Sequence, residues 1–144
     1  MRVYRITRAA YARDLSGKGA AHRGNRWNSK ETPILYCANS TALAALELRV
    51  NIDIDLPDLF RIVLDIPDDA ILADPPVFFA DCGQSQKAGD AWAQRRSSLC
   101  LKVYSAILPG AEDSFNILIN PAHPDSGRIV IVDVGPFRFD PRLF

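Results

Sequence analysis

Histidine is nearly missing from this sequence. His22 and His123 are the only two, and neither has a Cys or His partner at metal-ligand spacing, so the usual zinc-hydrolase patterns are not there. The three cysteines, Cys37, Cys82 and Cys100, are odd in number and form no CxxC pair. Each stands in or beside an apolar stretch, so buried, reduced thiols are expected rather than a disulfide framework. There is no GxGxxG and no GxSxG, which removes the dinucleotide fingerprint of dehydrogenases and the nucleophile elbow of α/β-hydrolases. Gly19 and Gly24 have the spacing of P-loop glycines, but Asn25 and Arg26 follow where a P-loop needs Lys and then Ser or Thr. Neither sign of charge is in excess: Lys plus Arg and Asp plus Glu both count 17. That argues against a general nucleic-acid binder, which would carry a basic surplus. No apolar run approaches the roughly 20 residues of a membrane span, and Met1–Arg8 holds no signal-peptide core. A cytoplasmic protein without membrane contact is expected.

What remains is an ordinary globular composition, 48% hydrophobic and 24% charged over 144 residues. That length fits one domain, residues 1–144, with enough chain to bury a core without staples. Strands are expected at Met1–Thr7, Ile34–Cys37, Leu59–Ile66, Leu101–Ala106, Phe115–Ile119 and Arg128–Val134, with a short edge piece at Phe137–Phe139. Ser40 is placed to cap a helix through about Val50. A second helix is expected over Gln84–Ser98, anchored by Trp92 and weakened by Gly89. Arg8–Lys30 shows no sustained period and reads as a long loop, which in a compact domain usually carries function. Ala70–Phe79, with Pro75 and Pro76, reads as extended or irregular. Strands outnumber helices and do not alternate with them, so the fold class is α+β: a mixed or antiparallel β core with flanking helices.

Three places could carry chemistry. In His22-Arg23-Gly24-Asn25-Arg26-Trp27-Asn28, two arginines flank a glycine. The planar guanidinium matches phosphate oxygens, and glycine lets backbone N–H groups approach the same anion. The same residues also suit a solvated basic loop, or a Trp27 packed in the core with arginines around it. Glu47 borders a helical stripe of Leu43, Leu46 and Val50. Its neighbours at i±3 and i±4 are Leu43, Ala44, Val50 and Asn51, none of them basic. A core-facing carboxylate without a partner is costly, so either Glu47 turns to water or the fold supplies a partner. Tyr36 ends an apolar run and suits either a packed tyrosine with a satisfied hydroxyl or a flat face for a ring. Ser114, just before a strand, has the position of a turn residue.

Taken in order, these pieces resemble the RES domain, the toxin half of RES–Xre toxin–antitoxin pairs. The resemblance runs from Val3-Tyr4-Arg5-Ile6 through Gly24-Asn25-Arg26-Trp27-Asn28, Pro33-Ile34-Leu35-Tyr36-Cys37-Ala38 and Ala42-Leu43-Ala44-Ala45-Leu46-Glu47. It resumes at Ser114-Phe115-Asn116-Ile117-Leu118-Ile119-Asn120-Pro121 and the following His-Pro. The chain departs mildly at Asn25, where many members have glycine, and near His22, where they have an apolar or aromatic residue. The family's arginine, glutamate and serine fall on Arg26, Glu47 and Ser114, and its pocket tyrosine on Tyr36. The resemblance implies a fold similar to ADP-ribosyltransferases, NAD+ as substrate with no metal, and cleavage of the nicotinamide–ribose bond. Glu47, Arg26 and Ser114 would be catalytic, and Arg23, Arg26, Asn28, Tyr36 and Ser114 would bind NAD+. In that scheme Arg26 and Arg23 hold phosphate oxygens, Tyr36 stacks on the nicotinamide, and Ser114 positions Glu47 or the ribose.

The resemblance also implies an Xre-like antitoxin that occludes the active site. It leaves open a protein target for ADP-ribosylation, such as a phosphoribosyl-pyrophosphate synthetase, and a homodimer. Transferases that modify arginine often carry a second glutamate two residues before the catalytic one. Here that residue is Ala45, which disfavours arginine as acceptor and leaves protein, water or phosphate. The alternative is a nucleotide-binding or interaction module without catalysis. Glu47 weighs against it, because a carboxylate repels the phosphates such a pocket would need to hold.

Overall fold

The computed structural model describes residues 1–77 and 81–144, with residues 71–77 described by their backbone. Seven strands form one sheet: β1 (Arg2–Arg8), β2 (Leu35–Ala38), β3 (Leu59–Asp65), β4 (Ile71–Val77), β5 (Cys100–Tyr104), β6 (Phe115–Ile119) and β7 (Val130–Pro136). Their spatial order is β4-β5-β6-β2-β1-β3-β7. Every pairing is antiparallel except β4 with β5. The helices are α1 (Lys18–Arg23), α2 (Thr41–Arg49) and α3 (Cys82–Arg95). The expected α+β class with a mixed sheet describes this arrangement.

The period of two along each strand sorts the side chains into two layers. Val3, Leu35, Cys37, Ile62, Leu64, Cys100, Ile117 and Ile119 face one side and pack with Ala12, Ile66 and Ala70. Ile6 and Ala38 face the other side and meet Leu43 and Ala44 of α2. Leu101, Val103 and Leu118 face that same side and meet Trp92 and Ala93 of α3. Both long helices therefore lie on one face, α2 over β1 and β2, α3 over β5 and β6. Burial pushes the Cys37 and Cys100 thiols up to about 12.

Several expectations change. Cys82 is exposed at the start of α3 rather than buried. The long loop after β1 contains α1, six residues with no buried side chain and no apolar stripe to announce it. β4, α3 and β5 form a parallel β-α-β unit that the sequence concealed, because Pro75 and Pro76 sit in β4. Proline is tolerated there because β4 is an edge strand, and the register shifts between Leu72 and Val77, across the prolines. The last residues of the expected Ala70–Phe79 segment lie outside the described residues. Phe137–Phe139 adds no strand; Phe137 N–H donates to Leu59 O at 2.9 Å and Phe139 is buried. Leu46 of α2 and Val50 at its C-cap are exposed, at 39% and 64%, and the buried side is Leu43 and Ala44 with Leu48 packed alongside.

Candidate active site

The segment Gly24–Ser29 is a loop braced from several sides. Gly24, at φ 72°, ends α1 in a conformation that favours glycine. Asn25 and Asn28 then bridge each other through their backbones. Asn28 is fully buried. Its Nδ2 donates to Ala20 O at 2.8 Å, Thr32 O at 3.0 Å and Ser29 O at 3.1 Å. Its Oδ1 accepts from the Tyr36 hydroxyl at 2.7 Å. Both polar atoms of Asn28 thus have partners inside the protein, and the side chain shapes the loop.

Tyr36 holds the loop from below. Its hydroxyl donates to Asn28 Oδ1 and accepts from Trp27 N–H at 3.0 Å. Burial pushes the phenol well above its ordinary range. With the hydroxyl committed in both directions, the half-buried ring has only its face to offer a ligand.

From above, α3 clamps the same loop with residues at helical spacing. Gln86 Nε2 donates to Asn25 O at 2.9 Å. Asp90 accepts from Ser29 N–H at 2.9 Å and from Ser29 Oγ at 2.6 Å. Gly89 lies between them, and a Cβ built there would stand 1.7 Å from Trp27 O. The glycine that weakens the helix on propensity grounds is what lets α3 close on the loop. Trp27 itself is buried. Arg26, half-buried, leads out of this brace, and Arg23 is exposed in the last turn of α1.

Glu47 comes from α2, capped as expected by Ser40, whose Oγ accepts from Leu43 N–H at 3.1 Å. The fold supplies two neutral partners for the half-buried carboxylate. Ser105 Oγ donates to Glu47 Oε1 at 2.8 Å and Asn116 Nδ2 donates to the same oxygen at 2.6 Å. Asn51 bonds the Glu47 carbonyl, not its carboxylate. Sequence reasoning missed Ser105 and passed over the role of Asn116. The signal for Asn116 was its place two resides before Leu118 on a strand whose alternate positions face the helices. Ser105 gave no local signal.

The register brings these parts together. Tyr36 pairs with Leu118, and Ala38 with Asn116, so Tyr36 and Asn116 are diagonal neighbours on the helical face. On that face they lie between α2, which brings Glu47, and the Arg26 loop, which α3 clamps. Ser114 is half-buried one residue before β6, with Oγ 3.4 Å from Asp113 Oδ1. It does not bond Glu47; that place is taken by Ser105. A separate depression of about 440 Å³, lined by Glu31, Thr32, Pro33, Ala93, Gln94, Arg96, Asn120 and Ala122, contains none of these residues. Among the described residues no three His, Cys, Asp or Glu side chains gather as metal ligands.

The RES domain model matches residues 2–140. The chain belongs to the RES domain family. Its kin are toxins. It is 36% identical over 154 residues to the "Prs ADP-ribosylating toxin" of Sphingobium sp. (strain YBL2), covering 99% of this chain and 94% of that one. It is 34% identical over 154 residues to "Toxin Res" of Pseudomonas putida, covering both chains completely. A solved structure of similar fold, with TM-score 0.71 and 18% identity over 99% of this chain and 85% of that one, comes from the M. tuberculosis MbcT–MbcA toxin–antitoxin complex. The described helices include none long and apolar enough to cross a membrane.

Proposed function

We propose that this RES domain is the toxin of a toxin–antitoxin pair and breaks the nicotinamide–ribose bond of NAD+. The observation that carries the reading is the Glu47 carboxylate, held by two donors on the face that also carries Tyr36 and the Arg26 loop, in a chain akin to an ADP-ribosylating toxin. The glycosidic C–N bond breaks with its electron pair leaving on nicotinamide, and positive charge builds on the ribose ring, as in glycoside cleavage. Glu47 would face that charge. A preorganised group of this kind is worth about 3–4 kcal/mol in the transition state. Arg26, with Arg23, would hold the pyrophosphate. The face of Tyr36 would meet the nicotinamide ring, a role its committed hydroxyl leaves open. Ser114 would contact the ribose from the Asn116 side of the sheet. The ribose carbon then bonds to the nucleophile of a protein, water or phosphate, which loses its proton. An Xre-like antitoxin would cover this site, and the protein would act in the cytoplasm.

The test incubates purified protein with labelled NAD+ and cell lysate, and follows nicotinamide release and the label on free ADP-ribose, its phosphate or a protein band. Glu47→Gln is expected to lower nicotinamide release at least 100-fold with the fold intact. No release by the wild-type protein overturns the reading; NAD+ binding without release points to a module that has lost catalysis.

A further inference from the structure

The balanced composition hides a segregated surface. Among the described residues the ion pairs lie on β1, β3, β7 and the segments joined to them: Arg8 with Asp58, Arg61 with Asp133, Arg128 with Asp69 and Asp125, Arg142 with Asp140, and the Met1 amino group with Asp65 and Asp68. The face built from α1, residues 29–33 and α3 is different. Arg23, Lys30, Lys87, Arg95 and Arg96 are all exposed there. None of them forms an ion pair or a side-chain hydrogen bond among the described residues. The elements are laced together: Asn28 and Glu31 bond the carbonyls of Ala20 and Ala21 in α1, and Asp90 of α3 holds Ser29. Lys87 and Arg95 are eight residues apart, about 80° around the helix, so they share one side of α3. The acids of this face are Glu31, Asp81 and Asp90. Asp81 accepts from Gly83 N–H and Asp90 from Ser29, so Glu31 is the one carboxylate left open. The depression of about 440 Å³ belongs to the same face, between residues 31–33, the end of α3 and the turn after β6. Its rim is fixed by backbone: Glu31 and Arg96 both stand at positive φ, 74° and 51°, and the buried Asn120 donates from Nδ2 to Ala93 O at 2.9 Å.

Unpaired cations around a recess favour an acidic partner and steer its approach. Nucleic acid fits poorly. Trp27 and Trp92, the aromatic residues of these described elements, are buried and present no ring for base stacking. A second copy of this chain offers little, because most acids at its β3–β7 end are already neutralised by the pairs above. An antitoxin that occludes the site would cover the residues given to NAD+, whereas the depression and the three α3 cations include none of them. An acceptor, by contrast, has to dock while NAD+ is in place. We propose that this face is the docking surface for a protein acceptor of ADP-ribose: the acceptor's surface is acidic, and the depression receives a projecting loop of it. The proposal rests on the NAD+-cleaving reading given above, with a protein as acceptor.

The test separates docking from chemistry. Label from NAD+ is followed onto protein bands in nuclease-treated lysate, and nicotinamide release into water is measured without lysate. The triple variant Lys87→Glu, Arg95→Glu, Arg96→Glu is compared with wild type and with the corresponding triple glutamine variant, which carries the comparison if charge reversal lowers the melting temperature. Charge reversal is expected to slow protein labelling about tenfold or more, with nicotinamide release kept within about twofold, and the glutamine variant to fall between. Raising salt from about 50 to 300 mM should slow labelling by wild type and narrow the gap, because exposed charges are screened. Equal labelling by all three proteins, a parallel fall in labelling and release, or no protein label at all overturns the proposal. So does label that nuclease removes, the mark of a nucleic-acid surface, or a wild-type oligomer in sedimentation that charge reversal abolishes, the mark of a second copy. The second arm needs no turnover. Fluorescent poly-L-glutamate is titrated with each protein at about 50 mM salt; binding by wild type, weakened about tenfold by charge reversal, is expected, and no binding overturns the proposal. If the wild-type protein releases no nicotinamide, the functional reading fails, and polyglutamate binding alone decides whether this face takes an acidic protein.

Discussion

Replacing Gly89 by alanine tests whether the Arg26 loop is held by α3. On propensity alone the change favours the helix by about 1 kcal/mol. The structure reverses the sign. A Cβ at position 89 would stand 1.7 Å from Trp27 O and 2.7 Å from Trp27 C, both backbone atoms. Reaching ordinary contact needs a retreat of roughly 2 Å, more than a side-chain adjustment supplies. Overpacking of this kind costs about 1–3 kcal/mol. The retreat also stretches the Ser29–Asp90 and Gln86–Asn25 bonds, and bonds to a charged acceptor are worth about 1.5–3 kcal/mol each. Against the propensity gain, a net loss of about 3 kcal/mol is expected. For a chain of this size that lowers the melting temperature by about 6–12 °C. Circular dichroism melts check the stability, and nicotinamide release checks the loop. Gly19→Ala is the control, because a Cβ there meets nothing within 4 Å, so it should hold or raise the melting temperature. A Gly89→Ala protein at least as stable as wild type would refute the close approach of α3 to Trp27.

Three further outcomes follow from the same geometry. Tyr36→Phe removes the hydroxyl bridging Trp27 N–H and Asn28 Oδ1 but keeps the ring. It should cost about 1–3 kcal/mol by urea denaturation and weaken NAD+ binding less than Tyr36→Ala, as calorimetry would show. Asn28→Asp sets a buried carboxylate against the carbonyls of Ala20, Ser29 and Thr32; a loss of more than about 3 kcal/mol is expected, and a near-neutral result would contradict the burial of this side chain. The third concerns pH. The Cys37 and Cys100 thiols are raised from 9.0 to about 12 in the fold, so above pH 9 the unfolded chain loses protons that the native protein keeps. Stability from these thiols is intact below pH 9 and falls between pH 9 and 12, by up to about 1.4 kcal/mol per pH unit for each. Cys37→Ala should flatten that decline in urea midpoints measured from pH 8 to 11.

Most of the sheet and the capped start of α2 were legible because alternation and Ser40 are local signals. β1, β3 and β6 run close to where their apolar residues put them. The misreadings also have local causes. The nine residues of α2 include so many apolar side chains that more than one stripe fits them, and packing chose Leu43, Ala44 and Leu48 over Leu46 and Val50. Two prolines hid β4 until the neighbouring parallel strand was in place. In the site, the loop residues and Glu47 could be singled out from residue type and the family pattern. Their supports could not, because Ser105 and Asn116 reach Glu47 only through the β-ladder, and Gly89 shows its purpose only when the helix lies across Trp27.

The brace around the Arg26 loop and the seat of Glu47 have a consequence for how the protein is made. Asp90 is 61 residues downstream of the Ser29 it holds, and Ser105 and Asn116 are 58 and 69 residues downstream of Glu47. Synthesis proceeds at about 5–20 residues per second, so the arginine and glutamate leave the ribosome seconds before anything that can fix them. Contacts this distant in sequence form late, after the chain has closed large loops. A nascent or truncated chain therefore carries Arg26 and Glu47 without the contacts that hold them, and the proposed site is assembled only once the sheet is complete.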